Sequence, residues 1–170
     1  DGHWVWVEVS LQFKKNEEGE VEAIGVSRDI QERKKAEALR EKMQAELAES
    51  EARFRTLFYG NASAMYLVDI ETARFVDANN AALQFYNYSR EAFLQKKMTD
   101  IATDAGFWTQ KLQHLQKNAV GRFEFKHRRA DGQVVDVELF SCLIEINGQL
   151  LVHDIVHDIS DRNAYLQEIE

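Results

Sequence analysis

The stretch Asp131-Gly132-Gln133-Val134-Val135-Asp136-Val137-Glu138-Leu139 decides the reading, because the chain has already used it once. The opening Asp1-Gly2-His3-Trp4-Val5-Trp6-Val7-Glu8-Val9 is identical to it at five of nine positions. Gly19 then matches Gly148, Asp29-Ile30 matches Asp158-Ile159, and Arg33 matches Arg162, with the offset falling from 130 to 129 across the intervening turn. An internal repeat changes every later assignment. The second copy is preceded by about 80 residues that the first copy lacks. The expected organisation is therefore the C-terminal hairpin of one domain (1–30), a linker helix (31–52), a complete second domain (53–163) and the start of an exit helix (164–170).

Each copy reads as two strands. Val5, Val7, Val9, Leu11 and Phe13 alternate with polar or aromatic neighbours, the period of a half-buried strand. Asn16 to Gly19 is a turn, and the return strand runs from Val21 to Ile30. In the second copy Asn147-Gly148 is a strong hairpin signal, and Asp131-Gly132 turns the chain before it. Arg122 to Lys126 alternates with both phenylalanines on one face, so 121–159 reads as a three-stranded antiparallel meander. Short strands are expected at Ala64–Ile70 and Arg74–Ala78.

The segment 31–58 has no glycine, and the whole chain has no proline, so a helix can run without a break. Ala36, Leu39, Met43, Leu47, Ser50 and Phe54 form one stripe at steps of three or four. The stripe predicts a short parallel coiled coil with Leu39, Met43 and Leu47 at a dimer seam, or else a helix leaning on its own domain. Residues 79–118 read as helical, with Asn79 or Asn80, Ser89 and Asp104 as start signals and Phe107, Trp108, Leu112 and Leu115 on one face of the longest helix. The fold class is α+β: a five-stranded antiparallel sheet with helices on one face, preceded by a long linker helix and a hairpin.

The chain carries 21 basic against 29 acidic groups, a net charge of −8, and an acidic surface opposes a nucleic-acid partner. No apolar run approaches the roughly 18 residues of a membrane span. One cysteine, Cys142, excludes an intrachain disulfide and fits a reducing compartment, so a cytoplasmic location is expected.

The sequence resembles the PAS sensor family over about 53–163. The resembling stretches are Glu51 to Phe58, Phe75 to Leu83, Phe85 to Leu94, Gly121 to Glu124, Asp131-Gly132 and the closing Asp158-Ile159-Ser160-Asp161-Arg162. Asn87 stands where the family commonly has glycine. Asp29 to Arg33 repeats the closing motif, which in this family joins the last strand to a signalling helix, so Asp29, Arg33, Asp158 and Arg162 become relay candidates. The resemblance implies a sensory domain of a bacterial signal-transduction protein of the histidine kinase or diguanylate cyclase type. Such a domain holds a small ligand against its sheet and relays through terminal helices. The alternative is a ligand-free dimerisation and relay module. A homodimer is expected in either case.

Candidate cavity-lining residues are Leu67, Leu83, Tyr86, Phe93, Met98, Trp108, Leu112, Phe123, Phe125, Phe140 and Cys142. The cofactor is left unknown. The haem-binding pattern puts Trp108 where a histidine ligand belongs, with His114 about two turns late on the solvent side. Flavin relatives carry their photoactive cysteine in a helix, whereas Cys142 reads as an inert strand residue. His153 and His157 invite a metal reading, but in a strand they lie about 13 Å apart and cannot share one ion. No catalytic arrangement rises above chance, so the chain reads as non-enzymatic.

Overall fold

The computed structural model describes residue 2 and residues 4–169; Asp1 and His3 of the repeat, and Glu170 of the expected exit helix, lie outside the described residues. The chain divides into two compact units, residues 1–52 and 53–170.

In the first unit, β1 (Val7–Lys15) pairs antiparallel with β2 (Val21–Asp29), and the two form a sheet of their own. Asn16 shapes the turn by accepting at Oδ1 from the backbone N–H of Glu18 (3.1 Å) and Glu20 (2.8 Å). Every residue of both strands is exposed, and Trp4 is 97% exposed. Helix α1 (Gln31–Tyr59) follows. It is longer than the 31–52 expected, because nothing stops it before Gly60, where a Cβ would lie 2.7 Å from the Thr56 carbonyl oxygen.

The second unit is built on a sheet of order β4-β3-β7-β6-β5, with every neighbouring pair antiparallel. Its strands are β3 (Ala64–Asp69), β4 (Phe75–Ala78), β5 (Val120–Arg128), β6 (Val134–Ile146) and β7 (Gln149–Asp158). Asn147 and Gly148 both hold positive φ in the β6–β7 turn, which matches the twist of the strands. Between β4 and β5 lie α2 (Asn80–Tyr86), α3 (Arg90–Leu94), α4 (Met98–Ile101) and α5 (Phe107–Asn118), and α6 (Ser160–Ile169) closes the chain. Asn79 and Ser89 cap α2 and α3 as expected. Asp104 instead shapes the turn before α5, accepting from Gly106 N–H at 2.8 Å. Asn87 ends α2 in the left-handed region (φ 61°), a conformation asparagine tolerates better than most residues.

The core lies between the helices and one face of the sheet, with Tyr66, Phe75, Tyr86, Phe93, Met98, Phe107, Val137 and Leu139 among its buried residues. A smaller cluster of Phe58, Met65, Leu67 and Leu151 covers the opposite face. Asn79 ties the end of α1 to the sheet. Its buried side chain accepts from Met65 N–H (3.0 Å) and Ala82 N–H (2.9 Å), and donates to the carbonyls of Phe58 (3.0 Å) and Ser63 (2.8 Å). Asn79→Ala orphans several buried backbone groups at once. It is expected to cost about 2–3 kcal/mol, read as a lower urea midpoint at unchanged slope.

Candidate functional site

Antiparallel register sets one polar row across the inner face of the sheet. Tyr66 of β3 lies opposite Asp154 of β7, and Asp154 lies opposite Ser141 of β6. Strand alternation carries these side chains to the helix side, among Val68, Val137, Leu139 and Val156. Helix α5 supplies the fourth member. Phe107, Lys111 and Leu115 are one turn apart on its buried face, and the Lys111 ammonium sits 2.5 and 2.6 Å from the two Asp154 carboxylate oxygens. Ser141 Oγ donates to Asp154 Oδ1. Both charged side chains are fully buried.

Three rings complete the surroundings of the ammonium, with Phe107, Phe123 and Trp108 centred 5.6, 5.8 and 6.0 Å from Lys111 Nζ. This is the distance at which a cation is attracted to ring faces. Nearby, the buried Tyr86 hydroxyl pairs with His127 Nδ1 at 2.8 Å. The Tyr66 hydroxyl and His127 Nε2 are buried with no hydrogen-bond partner among the described residues. Burial pulls the Lys111 ammonium below its ordinary range, against the opposing pull of Asp154. Burial, and then the Lys111 charge, hold the His127 imidazolium down to about 3, so it is neutral at physiological pH. Burial pushes the Tyr66 and Tyr86 phenols well up.

Of the expected lining residues, Tyr86, Phe93 and Met98 are fully buried in the inner core, and Leu83, Trp108, Phe123 and Phe125 pack against it. Leu112 is half-buried on α5. Leu67, Phe140 and Cys142 are corrected. Leu67 lies opposite His153 and packs in the outer cluster, while Phe140 and Cys142 lie opposite Ile155 and His153 on that same outer face. The apolar run of β6 has no clean alternation, because parts of both faces are covered, so period could not assign its faces. Cys142 Sγ is 3.8 Å from His153 Nδ1, and burial pushes its thiol up. His114 is exposed and edges onto Phe123. Among the described residues, no three His, Cys, Asp or Glu side chains gather as a metal site.

Sequence reasoning missed Lys111, Asp154, Ser141, Tyr66 and His127. The signal was there in part. Lys111 interrupts an apolar i, i+4, i+8 series, and Asp154 falls between Val152 and Val156 at the strand period.

The relay candidates occupy two joints of the same construction. Asp29 Oδ1 accepts from Gln31 N–H (2.8 Å), and Asp158 Oδ1 from Ser160 N–H (2.9 Å). Ile30 N–H donates to the Trp6 carbonyl and Ile159 N–H to the Asp136 carbonyl, both at 2.9 Å. Arg33 meets Glu8 at 3.2 Å, and Arg162 meets Glu138 at 3.3 Å and Glu124 at 2.8 Å. On the outer face of the sheet, Phe54, Leu57, Phe58, Met65, Leu67, Ile144, Ile146 and His153 line an apolar groove of about 240 Å³. Leu39, Met43 and Leu47 are each about 60% exposed on α1. Among the described residues, no helix is long and apolar enough to cross a membrane.

A five-stranded antiparallel sheet with a buried polar row under short helices, its last strand leading straight into a helix, defines an α+β module. The chain belongs to the PAS domain family, whose family model matches residues 63–161. It is 34% identical over 121 residues to the diguanylate cyclase DgcM of Escherichia coli, a match covering 69% of this chain and 29% of that protein. It is 28% identical over 119 residues to a methyl sulfide methyltransferase-associated sensor of Methanosarcina acetivorans, covering 68% of this chain and 12% of that one. The chain thus spans less than a third of the curated relatives it matches. Among solved structures it resembles the PAS domain of an HTR-like protein from Haloarcula marismortui (TM-score 0.61, 19% identity, 70% of this chain and 99% of that one). It also resembles a PAS domain from a two-component sensor histidine kinase (TM-score 0.57, 20% identity, 65% and 98%). At these identities the structural likeness concerns the fold.

Proposed function

We propose that residues 53–163 act as a non-catalytic sensory domain, in which a small ligand between helices and sheet biases the sheet and the bias passes to α6 and α1. The observation that carries this reading is the joint built twice: strand, aspartate cap, helix, and an arginine tied back to a glutamate on the penultimate strand. A strand shift at either joint must move the helix it caps. The relatives carrying this domain, a cyclase and a sensor by name, suit such a role. The exposed stripe on α1 and the apolar groove of the outer sheet face each suit a homodimer, as does the hairpin of 1–30, since an isolated two-stranded sheet is marginal in water. Within the intact protein that hairpin would close a preceding domain.

Native mass spectrometry of freshly purified protein tests the sensory reading. The expected result is a complex heavier than the chain, from which a small molecule is released on activation. A spectrum at bare chain mass for every oligomer would instead favour a ligand-free relay module. That second reading draws on Lys111, which already satisfies Asp154 from within the protein. Light scattering that gives a monomer at high concentration would count against the homodimer in both.

A further inference from the structure

We propose that Asp154, Ser141 and Tyr66, beneath the rings of Phe107, Trp108 and Phe123, form a receptor for a small organic ammonium ion, and that Lys111 is its tethered occupant, displaced when the ligand binds. This rests on the interior being the sensing site and names the class of ligand it takes.

The fold does not require the polar pair. The hairpin register aligns Leu11 opposite Gly25 in the first copy with Ser141 opposite Asp154 in the second. The first copy fills that row with one leucine, and a Cβ on Gly25 would meet its side chain at 3.1 Å. The repeat thus does without a polar pair at this row, in a hairpin that forms a sheet of its own. A buried ion pair is often no more stable than its hydrophobic replacement, so stability alone gives little reason to retain it. A further buried polar atom, His127 Nε2, has no partner among the described residues, which suits a site that accepts a polar guest.

The sign of the guest follows from which partner can leave. Asp154 has a short side chain on β7, held between β3 and β6. Lys111 has a four-carbon stem on a helix at the edge of the unit's core, with half-buried Trp108 and Leu112 beside it. Withdrawing Lys111 leaves a carboxylate, two hydroxyls and three ring faces, a set complementary to an alkylammonium ion. An anion would face Asp154 in the same space. Displacement also gives the ligand a differential effect on two states, since α5 loses its tie to β7 only when the site is filled from outside.

The test uses the full chain carrying Trp4→Phe and Trp6→Phe, so that Trp108 alone reports by fluorescence. It is titrated with n-butylammonium, tetramethylammonium, butyrate and sodium chloride at constant ionic strength. The ammonium ions are expected to give a saturable fluorescence change. The melting temperature should rise by roughly 5–10 °C at a hundredfold excess over the dissociation constant. Lys111→Met removes the tethered competitor and is expected to tighten n-butylammonium binding by about tenfold or more, and adding Asp154→Asn should abolish that gain. A saturable response to butyrate but not to the ammonium ions would overturn the ligand class while leaving the interior as a sensing site. Silence of both the parent and Lys111→Met toward ammonium would overturn the proposal outright; a ligand-bearing native mass spectrum would then show that the sensory reading survives. If Lys111→Met does not fold, the parent titration still decides.

Discussion

Asp154→Ala is expected to destabilise the protein by about 3–5 kcal/mol, because Lys111 must then either stay unpaired in the core or withdraw and leave its place unfilled. Exposed ion pairs on α1, such as Lys42 with Glu46 at 3.9 Å, should by contrast contribute less than about 1 kcal/mol. The reverse change, Lys111→Met, leaves the Asp154 carboxylate buried without its counter-charge and is expected to cost a comparable amount. Removing both charges with Lys111→Met and Asp154→Leu is expected to recover stability to within about 1 kcal/mol of the parent, or to exceed it. Urea denaturation of the three variants at pH 7 measures these differences. A cost below about 1 kcal/mol for Asp154→Ala would mean that Lys111 reaches solvent freely once released.

Stability is also expected to fall steeply with acid from about pH 6.5 downward. His127 ionises near pH 6.5 in an unfolded chain but resists protonation to about pH 3 when folded, first through burial and then through the Lys111 charge. The unfolded state binds the extra proton, so the stability from this residue is complete above pH 6.5. It is lost at about 1.4 kcal/mol per pH unit down to about pH 3, to a total near 5 kcal/mol. Over the range pH 7 to 5 this is a drop in melting temperature of roughly 4–8 °C. Asp69 and Asp136, held low chiefly by Gln149 and Lys126, lose their contribution only at lower pH. His153, lowered by burial against the pull of Asp154, adds a weaker slope of the same sign. His127→Gln keeps a polar partner for Tyr86 and should flatten most of the slope between pH 7 and 5; an unchanged slope would assign it elsewhere.

The fold was largely legible because its signals are local or repeated. The duplicated strand pair, the Asn147-Gly148 turn and the Asn79 and Ser89 caps each state their structure within a few residues. The candidate site was much less so. Leu67, Phe140 and Cys142 read as cavity-lining from sequence, whereas the register puts them on the outer face, because apolar runs covered in part on both faces carry no period. Lys111 and Asp154 were passed over because each, taken alone, is a charged residue that would ordinarily face water.

By itself, the sequence determined the α+β class, the two helix-bearing joints and the repeat that relates them, since these rest on turn residues, caps and alternation within short windows. Only the tertiary structure decided that Lys111 of α5 meets Asp154 of β7 across 43 positions of chain, at 2.5 Å. It also set Tyr66 and Ser141 beside Asp154 in one row, leaving the first copy's Leu11 and Gly25 as the apolar counterpart. The reason is that a buried charge is tolerable only beside its partner, and strand register and helix packing bring that partner from far along the chain.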